Sequence, residues 1–158
     1  MDAQPVSYAG FWKRFAAFFI DSIIVSIIEG ILFIPVLAMF GITIFDAVNA
    51  KSSAQIVSSI IGLIAASLGW AFLAMIGSWL YHALMESSAR GATVGKMALG
   101  IRVTDLHGNR VSFGRASGRY FARFLSSLIL CIGYMMAGFT ERKQALHDIV
   151  AGCLVVNI

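Results

Sequence analysis

Charge is scarce in this sequence. Lys, Arg, Asp and Glu make up 13% of the 158 residues, against about 25% in a soluble domain. That scarcity excludes an ordinary water-soluble globule. Cysteine is scarce too. Cys131 and Cys153 form no C-x-x-C pair and no Cys/His cluster at metal spacing, so they read as small apolar residues, with no metal bound. No basic stretch with interleaved aromatics exists despite a net charge of +4, and nucleic-acid binding is set aside. Catalytic signatures are missing as well: there is no H-E-x-x-H and no G-x-S-x-G. In "RGATVGKMALG", Gly91 and Gly95 are too close for a phosphate loop, and Met97 follows Lys96 where Ser or Thr is needed. The sequence is therefore read as not an enzyme, with no cofactor.

What is abundant is apolar. The chain is 59% hydrophobic, with a mean hydropathy of +0.84. An apolar run from Phe15 to Phe40 predicts a first membrane helix, ~39 Å long, enough to cross ~30 Å of hydrocarbon with tilt. Pro35 is expected to kink its far end. The run is too long for a cleavable signal peptide, and Tyr8 and Trp12 suit the near interface. Residues 41–55 are predicted as a polar connection and Ile56 to Met85 as a second membrane helix. Ser58, Gly62 and Ala66 mark a packing face on that helix, with Ser59 and Gly69 nearby. Residues 86–123 hold seven of the twelve lysines and arginines. Within them "GIRVTDLHGNRVSF" predicts a small β-hairpin turning at His107-Gly108-Asn109. The apolar part of the third segment, Phe124 to Phe139, is a short span or a re-entrant hairpin. "GCLVVNI" at the end is strand-like and pairs with "GIRVT" if both lie on one side.

The fold class is thus an all-α integral membrane protein of one domain, residues 1–158, with three or four membrane-inserted segments and a small cytoplasmic β element. Lys13, Arg14 and the basic loop place the N-terminus and residues 86–123 on the cytoplasmic side. The C-terminus is preferred there too.

Two carboxylates stand out inside the first helix. An Asp at a helix centre costs ~2.5–3.5 kcal/mol on insertion scales. Three readings of Asp21 stay open. It clasps a basic residue from another segment; it lines a cation or proton path with Glu29 and Ser26; or it is a protonated carboxyl of no special role. His82 and Glu86, one turn apart, read as an interfacial pair. Arg115, Arg119 and Arg123 recur every four residues on one helix face, and are read as contacts for lipid headgroups.

"KRFAAFFID", "TVGKMALGIRVTDLHGNRVSFGRA" and "RKQALHDIVAGCLVV" together resemble the RDD family of bacterial membrane proteins. The resemblance covers nearly the whole chain. It implies that Arg14 and Asp21 are the first arginine and aspartate of the family pattern. Asp148, in Leu146-His147-Asp148, is the second aspartate, and Gly95 and Lys96 belong to the middle motif. Glu29 lies outside that pattern. The resemblance implies a multi-pass protein of the inner membrane and a weakly defined function. Two functions are carried forward. One is a cation/proton transporter using Na⁺, K⁺ or H⁺ as a homo-oligomer. The other is a non-catalytic scaffold or accessory subunit that binds anionic lipid or a partner protein. Asp148 is expected to reach Arg14 or an arginine of the basic loop.

Overall fold

The computed structural model describes residues 7–128 and 132–158. In chain order it contains α1 (Phe11–Val48), α2 (Ser53–Glu86), α3 (Val94–Ala98), β1 (Ile101–Asp105), α4 (Phe113–Leu128), α5 (Ile132–Phe139), α6 (Leu146–Ala151) and β2 (Cys153–Asn157). The described residues form two compact units. One takes in the chain up to Ile23 and from Trp79 to Ile158; the other is Ile24–Ser78.

Helices α1 and α2 are long and apolar enough to cross a membrane. Both exceed the sequence expectation. α1 begins at Phe11 and runs to Val48, continuing through Pro35, and α2 begins at Ser53. The polar connection expected over residues 41–55 shrinks to residues 49–52. Thr43 and Asn49 explain why at the first end: each side chain bonds a carbonyl four residues back, so these polar residues fit within or against a helix. Leucine, isoleucine and phenylalanine side chains stand exposed along both helices, which suits lipid and would be untenable in water. In the Ile24–Ser78 unit, Phe33 and Trp70 rings meet at 5.3 Å. The small-residue row behaves differently from the expectation. Ser58 and Gly62 are exposed, and nothing approaches within 4 Å of where a Cβ on Gly62 or Gly69 would stand.

The other unit is built on a small antiparallel sheet. β1 pairs with β2 in the register Val103 opposite Val155, and Tyr8 bridges to Val156. Ile101, Val103, Val155 and Cys153 are buried with Ala9, Ala17, Ala83, Val111 and Ala116. The expected pairing of "GCLVVNI" with "GIRVT" is present. The expected hairpin is not. Asp105 N–H donates to Asn109 O, and Asp105 Oδ1 accepts from the backbone of His107 and Asn109, so the turn forms. Two residues earlier, Val103 N–H donates to Gly91 O at 2.7 Å. That carbonyl occupies the edge a second hairpin strand would need. Cys153 is a free, buried thiol, and burial pushes it up to about 11. Cys131 lies outside the described residues, as does part of the Phe124–Phe139 segment.

The sheet fixes the topology of what lies between its strands. α4 and α5 are set at 103° to each other. A single complete crossing by this segment would leave β1 and β2 on opposite faces of the bilayer. Because the strands pair, the stretch between them makes no net crossing. Gly133 makes the close approach possible: a Cβ there would lie 2.8 Å from Ser126 Cα.

Candidate functional site

The sheet-containing unit gathers the charges that the sequence scatters. α4 buries one face, Ala116, Arg119, Ala122 and Ser126, at helical spacing. The small residues let the guanidinium of Arg119 sink against neighbouring elements. Its Nε donates to Asp148 Oδ1 at 2.7 Å, and its Nη1 donates to Glu86 Oε2 at 2.7 Å. Arg14, in the first turn of α1, donates Nη1 to Asp148 Oδ2 and Nε to Ala9 O. Arg123 Nη2 donates to Glu86 Oε1 at 2.8 Å, and Lys96 Nζ donates to the same oxygen. Asp148 also caps its own helix, accepting from the Ala145 N–H at 3.1 Å.

Charge in this cluster does not balance. Lys96, Arg14, Arg119 and Arg123 bring four positive charges to the two carboxylates of Glu86 and Asp148. Burial alone would raise Asp148, but Arg119 and Arg14 hold it well below the usual carboxylate range. Burial pushes Lys96 down to about 8; Glu86 opposes that, and Arg119 and Arg123 add to it. Burial and Arg119 push His147 down to about 3, so its ring is neutral at physiological pH, with Nδ1 3.2 Å from Ser126 Oγ.

Beside the cluster lies a cavity of about 380 Å³. Arg14, Arg119, Arg123 and His147 line it together with Phe11, Phe15, Phe18 and Met135. Nη2 of Arg14 is buried without an acceptor among the described residues.

Asp21 belongs to a separate, smaller constellation. Its carboxylate accepts from Tyr81 OH at 2.8 Å, Thr93 Oγ1 at 2.5 Å and Gly95 N–H at 2.7 Å. Thr93 precedes α3 in an extended conformation and makes no cap bond of its own. Asp21 thus supplies the missing acceptor from another helix. Gly95 is required by closeness: a Cβ there would stand 2.2 Å from Ala17 O.

The structure sorts the sequence candidates. It joins Arg14, Arg119 and Asp148, with His147 adjoining. Asp21 is a clasp, but its partners are neutral donors where a basic residue was expected. Glu29 and Ser26 fall in the other unit, and neither forms a hydrogen bond or ion pair among the described residues. Of the three arginines read as headgroup contacts, Arg119 is taken up by Glu86 and Asp148, which corrects that reading. Arg123 is tied to Glu86 and only partly exposed, and Arg115 is exposed, 3.8 Å from Asp105. Glu86 is the residue whose role sequence reasoning missed. It was read as the interfacial partner of His82, and it binds three cations from other segments; His82 also meets the Tyr81 and Tyr120 rings. The Ala116–Ala122–Ser126 row around Arg119 was the available signal that this face is packed. Among the described residues, no group of three or more His, Cys, Asp or Glu could hold a metal ion.

Comparisons with known proteins agree with the sequence resemblance. The model of the RDD family matches residues 8–152. An uncharacterized Bacillus subtilis protein, YxaI, is 37% identical over 148 residues, covering 94% of this chain and 96% of that protein. An uncharacterized membrane protein of the same organism, YteJ, is 27% identical over 96% of this chain and 82% of its own length. A proline-rich antigen of Mycobacterium leprae is 26% identical over 87% of this chain and 57% of its own length. No solved structure matches.

Proposed function

The chain belongs to the RDD family, and from that premise we propose that it is a non-catalytic membrane protein that binds an anionic component of its surroundings at the arginine-lined cavity. One observation carries this reading: four cationic side chains meet two carboxylates in a buried cluster that borders open space. Uncompensated charge away from water is costly, and an arriving anion lowers that cost. The guanidinium fork suits carboxylate and phosphate alike. By the positive-inside rule, the N-terminus, the basic loop and the C-terminus lie on the cytoplasmic side of a bacterial inner membrane.

Cation/proton exchange by a homo-oligomer draws less support. The Asp21 carboxylate is already filled by three neutral donors, and Glu29 stands alone among the described residues.

The anion-binding reading is tested on the full-length protein in a neutral detergent. Inorganic phosphate and short-chain anionic lipids are added separately, and thermal stability is followed. At least one anion raises the midpoint, because a ligand that binds only the folded state stabilises it. If no anion shifts it, the reading fails. In liposomes, a cation-dependent pH response lost in Asp21→Asn would favour exchange instead.

A further inference from the structure

Resting on that reading, we propose that the occupant of the cavity is an anionic phospholipid taken from the surrounding bilayer, its phosphate held by Arg14 and Arg123 and its acyl chain laid along Phe15, Phe18 and Met135.

Three observations select this ligand. First, the arginines are unequal. The Arg119 side chain keeps 3% of its surface exposed, whereas Arg14 keeps 12% and Arg123 15%. Arg119 is spent on Asp148 and Glu86. Arg14 still has Nη2 without an acceptor, and Arg123 makes a single ion pair, to Glu86. The two arginines nearer the surface therefore keep donors for a further acceptor.

Second, part of the lining is apolar, and Phe15, Phe18 and Met135 are each about half exposed. Phe15 and Phe18 lie on α1, whose flanks carry bare apolar side chains suited to lipid. The cavity therefore opens toward hydrocarbon. A free inorganic anion would leave these phenylalanines facing nothing, and an apolar ligand would leave the excess charge unmet. A molecule with both an anionic head and a chain satisfies both.

Third, position favours a headgroup. Arg14 is in the first turn of α1, and Phe15 and Phe18 follow it along the span, as chain follows head in a lipid. The volume, about 380 Å³, is near the lower end for ligand pockets. It admits the phosphate and the start of a chain, with the remainder left in the bilayer.

The experiment uses the full chain in a neutral maltoside detergent. Short-chain phosphatidylglycerol, short-chain phosphatidylcholine and inorganic phosphate are added at matched concentration. Thermal midpoint and lipid retention by native mass spectrometry are read together. The expected result is a midpoint raised and lipid retained with phosphatidylglycerol alone. Arg123→Gln and, independently, Phe15→Ala weaken that binding about tenfold or more, as loss of one charge-assisted bond or one large apolar contact does. Phe15→Ala serves as the control for folding, since its side chain is half exposed. If inorganic phosphate matches phosphatidylglycerol, the lipid inference is overturned and the anion-binding reading stands. If phosphatidylcholine matches it, or nothing binds, both fall. Unchanged binding in both variants would place the lipid elsewhere and overturn the inference.

Discussion

Arg14 and Asp148 are 134 residues apart in the chain and joined by a hydrogen-bonded ion pair in a buried site. One stands in the first turn of α1, the other in α6. Arg119 occupies the second oxygen of the same carboxylate. Asp148 therefore ties the first membrane helix, α4 and the C-terminal element with one side chain. Buried pairs of this kind are weak net stabilisers, because desolvation offsets most of the attraction. Their removal on one side only is another matter.

Asp148→Asn leaves Arg14 and Arg119 buried without their carboxylate. The expected cost is ~3–5 kcal/mol, the range for breaking a buried pair. Chemical unfolding in detergent, set beside Arg115→Gln as an exposed control, checks this. The control should change stability by under ~1 kcal/mol, as an exposed pair does. Equal small effects in the two variants would show that the cluster does not hold the fold together.

Gly95→Ala forces a methyl group to within 2.2 Å of Ala17 O and 2.9 Å of Asp21 Cγ. The loop that carries α3 must then move off α1, breaking the bonds from Thr93 and Gly95 to Asp21. Overpacking of this kind costs ~1–3 kcal/mol or more. Limited proteolysis between residues 87 and 100 should speed up markedly, and Asp21→Asn should produce the same pattern. Protection of this loop in both variants would contradict the clasp.

His147 is neutral in the fold, and its folded pKa, about 3, lies below its value of about 6.5 in an unfolded chain. Between those values the unfolded chain binds the extra proton. Stability from this group is therefore complete above pH 6.5 and falls as pH drops toward 3. Between pH 6.5 and 5 the loss should be about 1 kcal/mol per pH unit. His147→Asn should flatten that slope while retaining a partner for Ser126. Denaturant midpoints at several pH values decide it; an unchanged slope would exclude His147 as its source.

The N-terminal segment and the C-terminal strand must lie on the same side of the membrane. Asn157 N–H donates to Ser7 O at 2.8 Å, and Ala9 N–H donates to Val155 O at 2.9 Å. Reporter fusions or cysteine labelling at both ends should give matching accessibility, and residues 49–52 the opposite one. Opposite results at the two ends would rule out the β1–β2 pairing in the membrane.

The two membrane helices were legible in the sequence, because a bilayer imposes a minimum apolar length and the runs around Ile23 and Ile64 exceed it. Their ends were not, because Thr43 and Asn49 look like loop residues until their side chains bond the helix backbone. The pairing of residues 101–105 with 153–157 was legible from β-branched composition. The hairpin failed because Gly91, ten residues before β1, takes the edge it needed.

The candidate site divides the same way. Sequence alone determined that Asp21, an acid inside an apolar run, is costly unless it finds partners or a proton. It also named Arg14, Asp21 and Asp148 through the family motif. Only the tertiary structure decided who meets whom. Charge complementarity leaves many pairings open among twelve cations and eight acids. The choice is made by which helix faces are small enough to pack. The alanines flanking Arg119 let it reach Glu86 and Asp148, and the absence of a Cβ at Gly95 hands Asp21 to the backbone.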